Sequence, residues 1–422
     1  MGVTNSTLET GTTYVSPRRR RVFGIIFLGI AALIWLFFMR GMDPESITTM
    51  RLYPGGSQVV IDDWEFNTLD SLQILAFLCG VIGSYQLVRG FGKRTGLVLT
   101  IIGGMFVFAF LSWAAANGML NLAGMLRIML IRAVPLVLGA MSGILCERAG
   151  VVNIAIEGMM LTAAMVGTIV GSLSTLWIGL LGAVLAGGLL GLMHAILSIR
   201  YRTDQIISGT VINIFAVGIT SFISAKFMQP YPEINDPGIF KPIEIPFLGQ
   251  IPILGPVLFK HNIFVYAMIF FVIFLTFMLF KTRWGLRHRS VGEHPRAADT
   301  LGINVYRTRY IAVILGGMMA GFAGAYFTLG SVGRFDQVMT AGRGFIALAA
   351  MIFGNWMPVG ALGAGLLFGF SDSLAASLAL LNVNIPSEFL LMTPYLLTMI
   401  VLAGVVGRGQ MPAADGQPYE KD

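Results

Sequence analysis

Apolar runs broken by short polar stretches dominate the chain. Runs of near-spanning length lie at about 22–39, 72–88, 97–117, 125–146, 151–173, 176–198, 206–228, 263–280, 309–329, 344–357, 359–381 and 388–406, each close to the ~20 residues that an α-helix needs to cross a bilayer. They predict an all-α fold, a polytopic transmembrane helix bundle of about 10–12 spans, the run at 344–357 being short for a crossing. One interruption stands out, Ser142 to Gly158. Glu147, Arg148, Asn153 and Glu157 sit there between apolar flanks, where a bilayer penalises each unpaired ion by several kcal/mol. Gly150 and Gly158 bracket the polar groups and let the backbone leave a regular helix, which at membrane depth is tolerated only against protein or a watery cavity. The stretch therefore reads as the lining or gate of a transport path.

Composition agrees with the pattern. Of 422 residues 56% are hydrophobic and 12% charged, far below the roughly one quarter charged of soluble domains, and the mean hydropathy is +0.79. The 52 glycines suit close helix approach in a membrane. We read Gly316, Gly317, Gly321 and Gly324, and Gly179, Gly182, Gly187, Gly188 and Gly191, as such contacts. Cys79 and Cys146 lie inside apolar runs, so no disulfide framework is expected.

The net charge of +7 reads as orientation rather than nucleic-acid binding, because Lys and Arg cluster in short loops. Arg18 to Arg21 precede the first run, no small-residue cleavage site follows it, and a retained anchor with a cytoplasmic N-terminus is expected. The acidic stretch 43–70 then falls outside, as does the Pro-rich loop 229–262. The loops holding Arg89, Lys93 and Arg94, then Arg200 and Arg202, and finally 281–309 fall inside.

In the last of these, Pro295 stands where a first helical turn would begin and Gly302 where it would end, the asymmetry of a short capped helix. Ala297, Ala298 and Leu301 share one face of it, away from Arg296 and Asp299. Two turns are too few to be stable alone in water. The segment is expected to dock on something.

Three segments carry a resemblance. Glu147-Arg-Ala-Gly-Val-Val-Asn-Ile-Ala-Ile-Glu-Gly-Met-Met-Leu161, Gly285-Leu-Arg with Val291-Gly-Glu-His-Pro-Arg-Ala-Ala-Asp-Thr-Leu-Gly-Ile303, and Thr340-Ala-Gly-Arg-Gly-Phe-Ile-Ala-Leu-Ala-Ala-Met-Ile-Phe-Gly354 occur in that order. Together they resemble the permease subunits of bacterial ABC importers, in the ribose and branched-chain amino-acid permease superfamily, and within it the nucleoside and simple-sugar branch. The resemblance covers about 122–407, which is taken as the permease core. Residues 1–121 read as an N-terminal extension with about three spans and an acidic external loop, and 408–422 as a polar C-terminal tail.

The resemblance implies a plasma-membrane permease for a nucleoside or simple sugar, paired with a second permease, the same or homologous. It further implies a cytoplasmic ATP-binding subunit and an external solute-binding lipoprotein that delivers substrate. Membrane lipids surround the chain and no nucleic acid is involved. Gly292, Glu293, Pro295, Arg296, Ala297, Ala298, Leu301 and Gly302 match the family's cytoplasmic coupling region, whose short helix fits the ATPase. No Gly-x-x-x-x-Gly-Lys-Ser/Thr loop occurs in the sequence, so ATP hydrolysis is expected on the partner and this chain is expected to need no cofactor.

Glu157-Gly-Met-Met-Leu-Thr-Ala-Ala-Met and Arg343-Gly-Phe-Ile-Ala-Leu-Ala-Ala-Met share a pattern. With the family resemblance they suggest inverted repeats meeting at the path, with Glu157 and Arg343 pairing or flanking a gate. Asn153, Glu157, Gly158, Asn213, Arg343, Gly344 and Asn355 are the candidate path residues, and Asp372 lies inside a run in the same way. Arg127 and Arg132 read as snorkelling arginines, Asp204 as a local cap, and His194 as a packed histidine. No His-Glu-x-x-His, Cys-x-x-Cys or Gly-x-Ser-x-Gly constellation occurs, so neither an enzyme nor a metal site is expected. The alternative is a proton-coupled secondary transporter of a small polar solute, with a scaffold or intramembrane enzyme behind it.

Overall fold

Ten helices among the described residues are long and apolar enough to cross a membrane. The computed structural model describes residues 17–55, 61–381, 392 and 410–421. The candidate segment at 388–406 thus lies outside the described residues, apart from residue 392. Two compact units make up the chain, the first built mainly from 1–54 and 60–122, the second from 123–376 and 385–422.

In the first unit, α1 (Pro17–Leu33), α2 (Thr68–Val88) and α3 (Thr95–Ala114) pack around Phe27, Leu72, Cys79 and Ile102. Asn67 begins α2 by accepting a hydrogen bond from the Asp70 amide at 3.0 Å, satisfying one of the free N–H groups of a helix start. The acidic stretch is more ordered than a loop. Strands β1 (Ile47–Arg51) and β2 (Trp64–Asn67) pair antiparallel in it, and β3 (Met119–Asn121) adds parallel to β1.

The second unit contains α4 (Leu122–Glu147), α5 (Ile156–Leu173), α6 (Leu176–Ala195) and α7 (Gln205–Ile223). The Pro-rich loop follows, with the short α8 (Leu254–Leu258) and the strand pair β4 (Ile243–Glu244) and β5 (Lys260–His261). Then come α9 (Ile263–Lys281), α10 (Arg283–Glu293), α11 (Pro295–Thr300), α12 (Val305–Phe327), α13 (Arg343–Phe353) and α14 (Pro358–Leu380). Lipid tails offer no hydrophobic drive for helices to associate, so backbone proximity must supply the contact energy. At the crossing of α6 and α12, Gly187 and Gly191 meet Gly317 and Gly321. A Cβ on Gly187 would lie 2.6 Å from the Gly321 Cα, and one on Gly317 2.8 Å from the Gly191 Cα. This is the close helix contact expected of these glycines.

Two helices depart from the simple reading of the apolar runs. The run from 151 becomes helical only at Ile156, because Val151–Ala155 is non-helical. The run at 344–357 holds α13, 11 residues long, which at 1.5 Å per residue reaches about half of a ~30 Å hydrocarbon core. It is a half-helix rather than a span.

Substituting Gly317 with Leu is expected to lower the thermal midpoint of the detergent-solubilised protein, since overpacking costs ~1–3 kcal/mol. Gly218→Ala, where a Cβ meets nothing within 4 Å, leaves it unchanged.

Candidate functional site

The irregular segment between α4 and α5 carries backbone groups that no helix satisfies, and in an apolar surrounding each would be costly if left unpaired. Side chains from neighbouring helices meet them in turn. Gln205 accepts from the Val152 amide at 2.7 Å, and His194 Nε2 donates to the Val152 carbonyl at 2.9 Å. The other His194 nitrogen lies 3.0 Å from the Ser208 hydroxyl, so this buried ring is packed as expected. Asn153 accepts from the Ala155 amide at 3.1 Å, with its amide nitrogen 3.4 Å from the Ser142 hydroxyl. Asn213 holds both sides of the break. It donates to the Ile154 carbonyl at 2.9 Å and accepts from the Gly158 amide at 2.8 Å. Gln205 gave no signal in the sequence beyond lying next to Asp204, which caps α7 through the Ile206 and Ile207 amides.

Where α5 begins, it meets the start of α13. The first N–H groups of a helix have no partner within it and carry its positive dipole end. Glu157, 6% exposed, supplies the partner: Oε1 accepts from the Thr340 hydroxyl at 2.6 Å and the Gly342 amide at 2.8 Å, and Oε2 from the Gly344 amide at 2.6 Å. Such charge-assisted bonds are among the stronger ones in proteins. Gly344 sits so close that a Cβ would lie 2.6 Å from the Glu157 Cα. Of the two arrangements expected of Glu157 and Arg343, pairing or flanking, the carboxylate pairs instead with the helix start, which offers it aligned N–H donors. Arg343 flanks the junction instead, its guanidinium 5.7 Å from the centre of the Phe327 ring.

Glu157, Gly158, Asn213, Arg343 and Gly344 thus share one junction, and Asn153 lies just before it, fully buried toward α4. Asn355 does not join them. It stands beyond the other end of α13, its carbonyl accepting from Arg148 at 3.3 Å and its side chain from the Gln410 amide at 2.8 Å. A second set of polar groups adjoins the junction: Asp372 of α14 and Tyr326 of α12 each lie within electrostatic reach of Arg132 and Arg343. Asp372 was legible as an ionisable group inside an apolar run, whereas Arg132 read as a snorkelling arginine.

The segment holding α10 and α11 packs against the start of the same break. Thr282 caps α10 through the Gly285 amide at 3.1 Å. His288 is buried, and burial pushes its imidazole down to about 4, so the neutral ring donates from Nε2 to the Leu145 carbonyl at 2.9 Å. Gly292 lies directly on the Arg148 backbone, where a Cβ would have no room. Pro295 opens α11 and Gly302 follows it at φ +79°, as the spacing predicts. The face drawn through Ala297, Ala298 and Leu301 divides. Ala298 is buried with Val291 and Val305, while Ala297 is exposed and Leu301 is 81% exposed. Glu293 and Arg296 also face outward.

Arg148 ties this layer to α13, donating from Nε to the Trp356 carbonyl at 3.0 Å, while the Trp356 indole donates to Glu147 at 2.5 Å. The tail adds Asp415, buried beside Glu147 and Arg309. Burial raises its carboxyl above the usual carboxylate range, opposed in part by the nearby Arg309 guanidinium. No group of three or more His, Cys, Asp or Glu side chains able to hold a metal ion occurs among the described residues.

Comparison with known proteins places this geometry. The family described as "Branched-chain amino acid transport system / permease component" matches residues 125–405. The guanosine ABC transporter permease protein NupQ of Bacillus subtilis is 43% identical over 302 residues, 69% of this chain and 95% of the relative. The nucleoside ABC transporter permease protein NupC of Lactococcus lactis is 40% identical over 304 residues, 69% of this chain and 95% of the relative. The putative glucose ABC transporter permease protein TsgC13 of Haloferax volcanii is 32% identical over 328 residues, 71% of this chain and 98% of the relative. No solved structure matches the chain. These relatives are ABC permeases, so the proton-coupled alternative is not favoured. Such permeases imply an ATPase partner and a substrate-binding protein, with hydrolysis on the separate subunit. With ten apolar helices among its described residues, the chain belongs to this family, as a multi-pass plasma-membrane permease subunit of an ABC transporter that is not itself an enzyme.

Proposed function

We propose that the chain forms the translocation path for a nucleoside or simple sugar in an importer. It pairs there with a second permease, the same or homologous, and receives solute from an extracytoplasmic binding lipoprotein. Its N-terminus and the loop holding α10 and α11 face the cytoplasm, where the ATP-binding subunit grips the segment from Gly292 to Gly302. ATP is bound by that subunit, and this chain carries no cofactor. The observation that supports this reading is the continuity of the connection. Gly292 packs on Arg148, a short non-helical segment leads from there to Ala155, and Glu157 at the start of α5 holds the start of α13.

A push on the coupling segment therefore reaches the junction through one stretch of backbone. The inward and outward states differ in free energy by whatever the ATP-binding subunit does to that segment, as a ligand shifts an equilibrium by its differential affinity for two states. The repeat of Glu157-Gly158 in Arg343-Gly344, two helix starts brought face to face, fits two structural repeats of inverted topology. Asp372, Tyr326 and the two arginines offer both donors and acceptors to the hydroxyls or base edge of a neutral solute.

Uptake of labelled nucleoside and monosaccharide into proteoliposomes holding the complete complex tests the solute class. ATP-dependent accumulation of neither would overturn it. Replacing Glu293 and Arg296 with Ala is expected to abolish co-purification of the ATPase while leaving the chain folded, and an unchanged amount of bound ATPase counts against the coupling assignment. Glu157→Gln leaves one carbonyl oxygen where two charged ones met three donors, weakening the α13 anchor by ~1.5–3 kcal/mol. Uptake should fall with the complex intact, and undiminished uptake removes Glu157 from the path. Asp372→Asn is expected to raise the KM for uptake without changing the bound ATPase.

A further inference from the structure

The polar C-terminal tail is not a loose end. A dozen residues without a helix do not hold one conformation in water unless something offsets their entropy, and here the fixings are specific. The Ala414 amide donates to the Gly292 carbonyl at 2.9 Å, and the Ala413 amide to Glu293 at 3.2 Å. Arg309 Nη1 donates to the Gln417 carbonyl at 2.8 Å and the Tyr306 hydroxyl to the Tyr419 carbonyl at 3.3 Å, with the two tyrosine rings 5.4 Å apart. Pro412, Ala414, Asp415 and Tyr419 are buried against the body, Tyr419 in the same apolar cluster as Ala298 of α11.

The opposite face of the tail is free. Ala413, Gln417, Pro418 and Glu420 are exposed and form one wall of a cleft of about 510 Å³, whose other wall is Glu293, His294, Pro295 and Arg296. We propose that the ATP-binding subunit docks in this composite cleft, gripping the tail together with α11. The inference rests on the coupling assignment and extends it, since the coupling segment alone supplies only half of the walls. The cleft carries both signs, Glu293 beside Arg296 and Glu420 paired with Arg202, which suits a protein segment of mixed charge better than an anionic lipid headgroup. Fastened to Gly292 and Glu293 by its backbone, the tail moves with the coupling segment rather than beside it.

The test uses the full chain co-expressed with its ATPase and purified from membranes in mild detergent. Ala413→Trp combined with Pro418→Trp fills the cleft from the exposed face and leaves the backbone bonds and buried side chains in place. Co-purified ATPase should fall by about tenfold or more, the scale of a hot-spot loss at an interface, with the yield and melting temperature of the permease unchanged. Should the double variant fail to fold, Ala413→Cys carrying a photoreactive crosslinker decides: an adduct with the ATPase supports the composite cleft, and its absence overturns it. Arg296→Ala separates the two ideas. If that variant loses the ATPase while the tail variant keeps it, the composite cleft is overturned and the coupling assignment stands. If the wild-type chain retains no ATPase, both fall.

Discussion

Inside a bilayer a backbone that leaves the helix must find a partner for every N–H and C=O it frees, and the second unit is organised around meeting that demand. Val151–Ala155 breaks the helical run, and Gln205, His194, Asn153 and Asn213 meet the freed groups one after another. Asn213 serves both sides of the break, so α7 and α5 are fixed to each other at the point where α5 begins. The same demand explains Glu157. A half-helix leaves its first amides without partners in the helix, and a carboxylate with two acceptor oxygens satisfies two of them and a hydroxyl besides.

This makes the ionisable groups of the first motif structural before they are anything else. Glu147, Arg148 and Glu157 all bond to the segment running from Thr340 to Trp356, two of them at the C-terminal end of α13 and one at its N-terminal end. The half-helix is held at both ends by one short stretch of chain. Motion of that stretch must displace α13, because a packed interior has few intermediate arrangements to absorb it. The segment of α10 and α11 touches this stretch at Gly292, and His288, kept neutral by burial, bonds to the Leu145 carbonyl just before it.

The glycine crossing of α6 and α12 has the complementary role. Backbones in direct contact at Gly187, Gly191, Gly317 and Gly321 leave no side chains to rearrange, so this pair acts as a rigid frame. α12 also carries Arg309, whose guanidinium donates to both the Ala149 carbonyl and the Gln417 carbonyl, joining frame, break and tail at one side chain.

The sequence by itself determined the class of fold, a break within 142–158, which the structure confines to 148–155, the short helix opened by Pro295 and the glycine contacts, because hydropathy, helix-breaking residues and small-residue spacing act locally along the chain. It also showed that 344–357 was short for a span, though not that it ends as a half-helix anchored on Glu157. What Glu157 bonds to, that Asn355 stands apart from the junction, that Asp372 and Arg132 adjoin it, and that the tail lies against α10 and α11 were decided only in three dimensions. These depend on pairs of residues more than a hundred positions apart. A carboxylate looks the same in sequence whether it faces an arginine, a solute or a helix start, and only the packing of the helices selects among them.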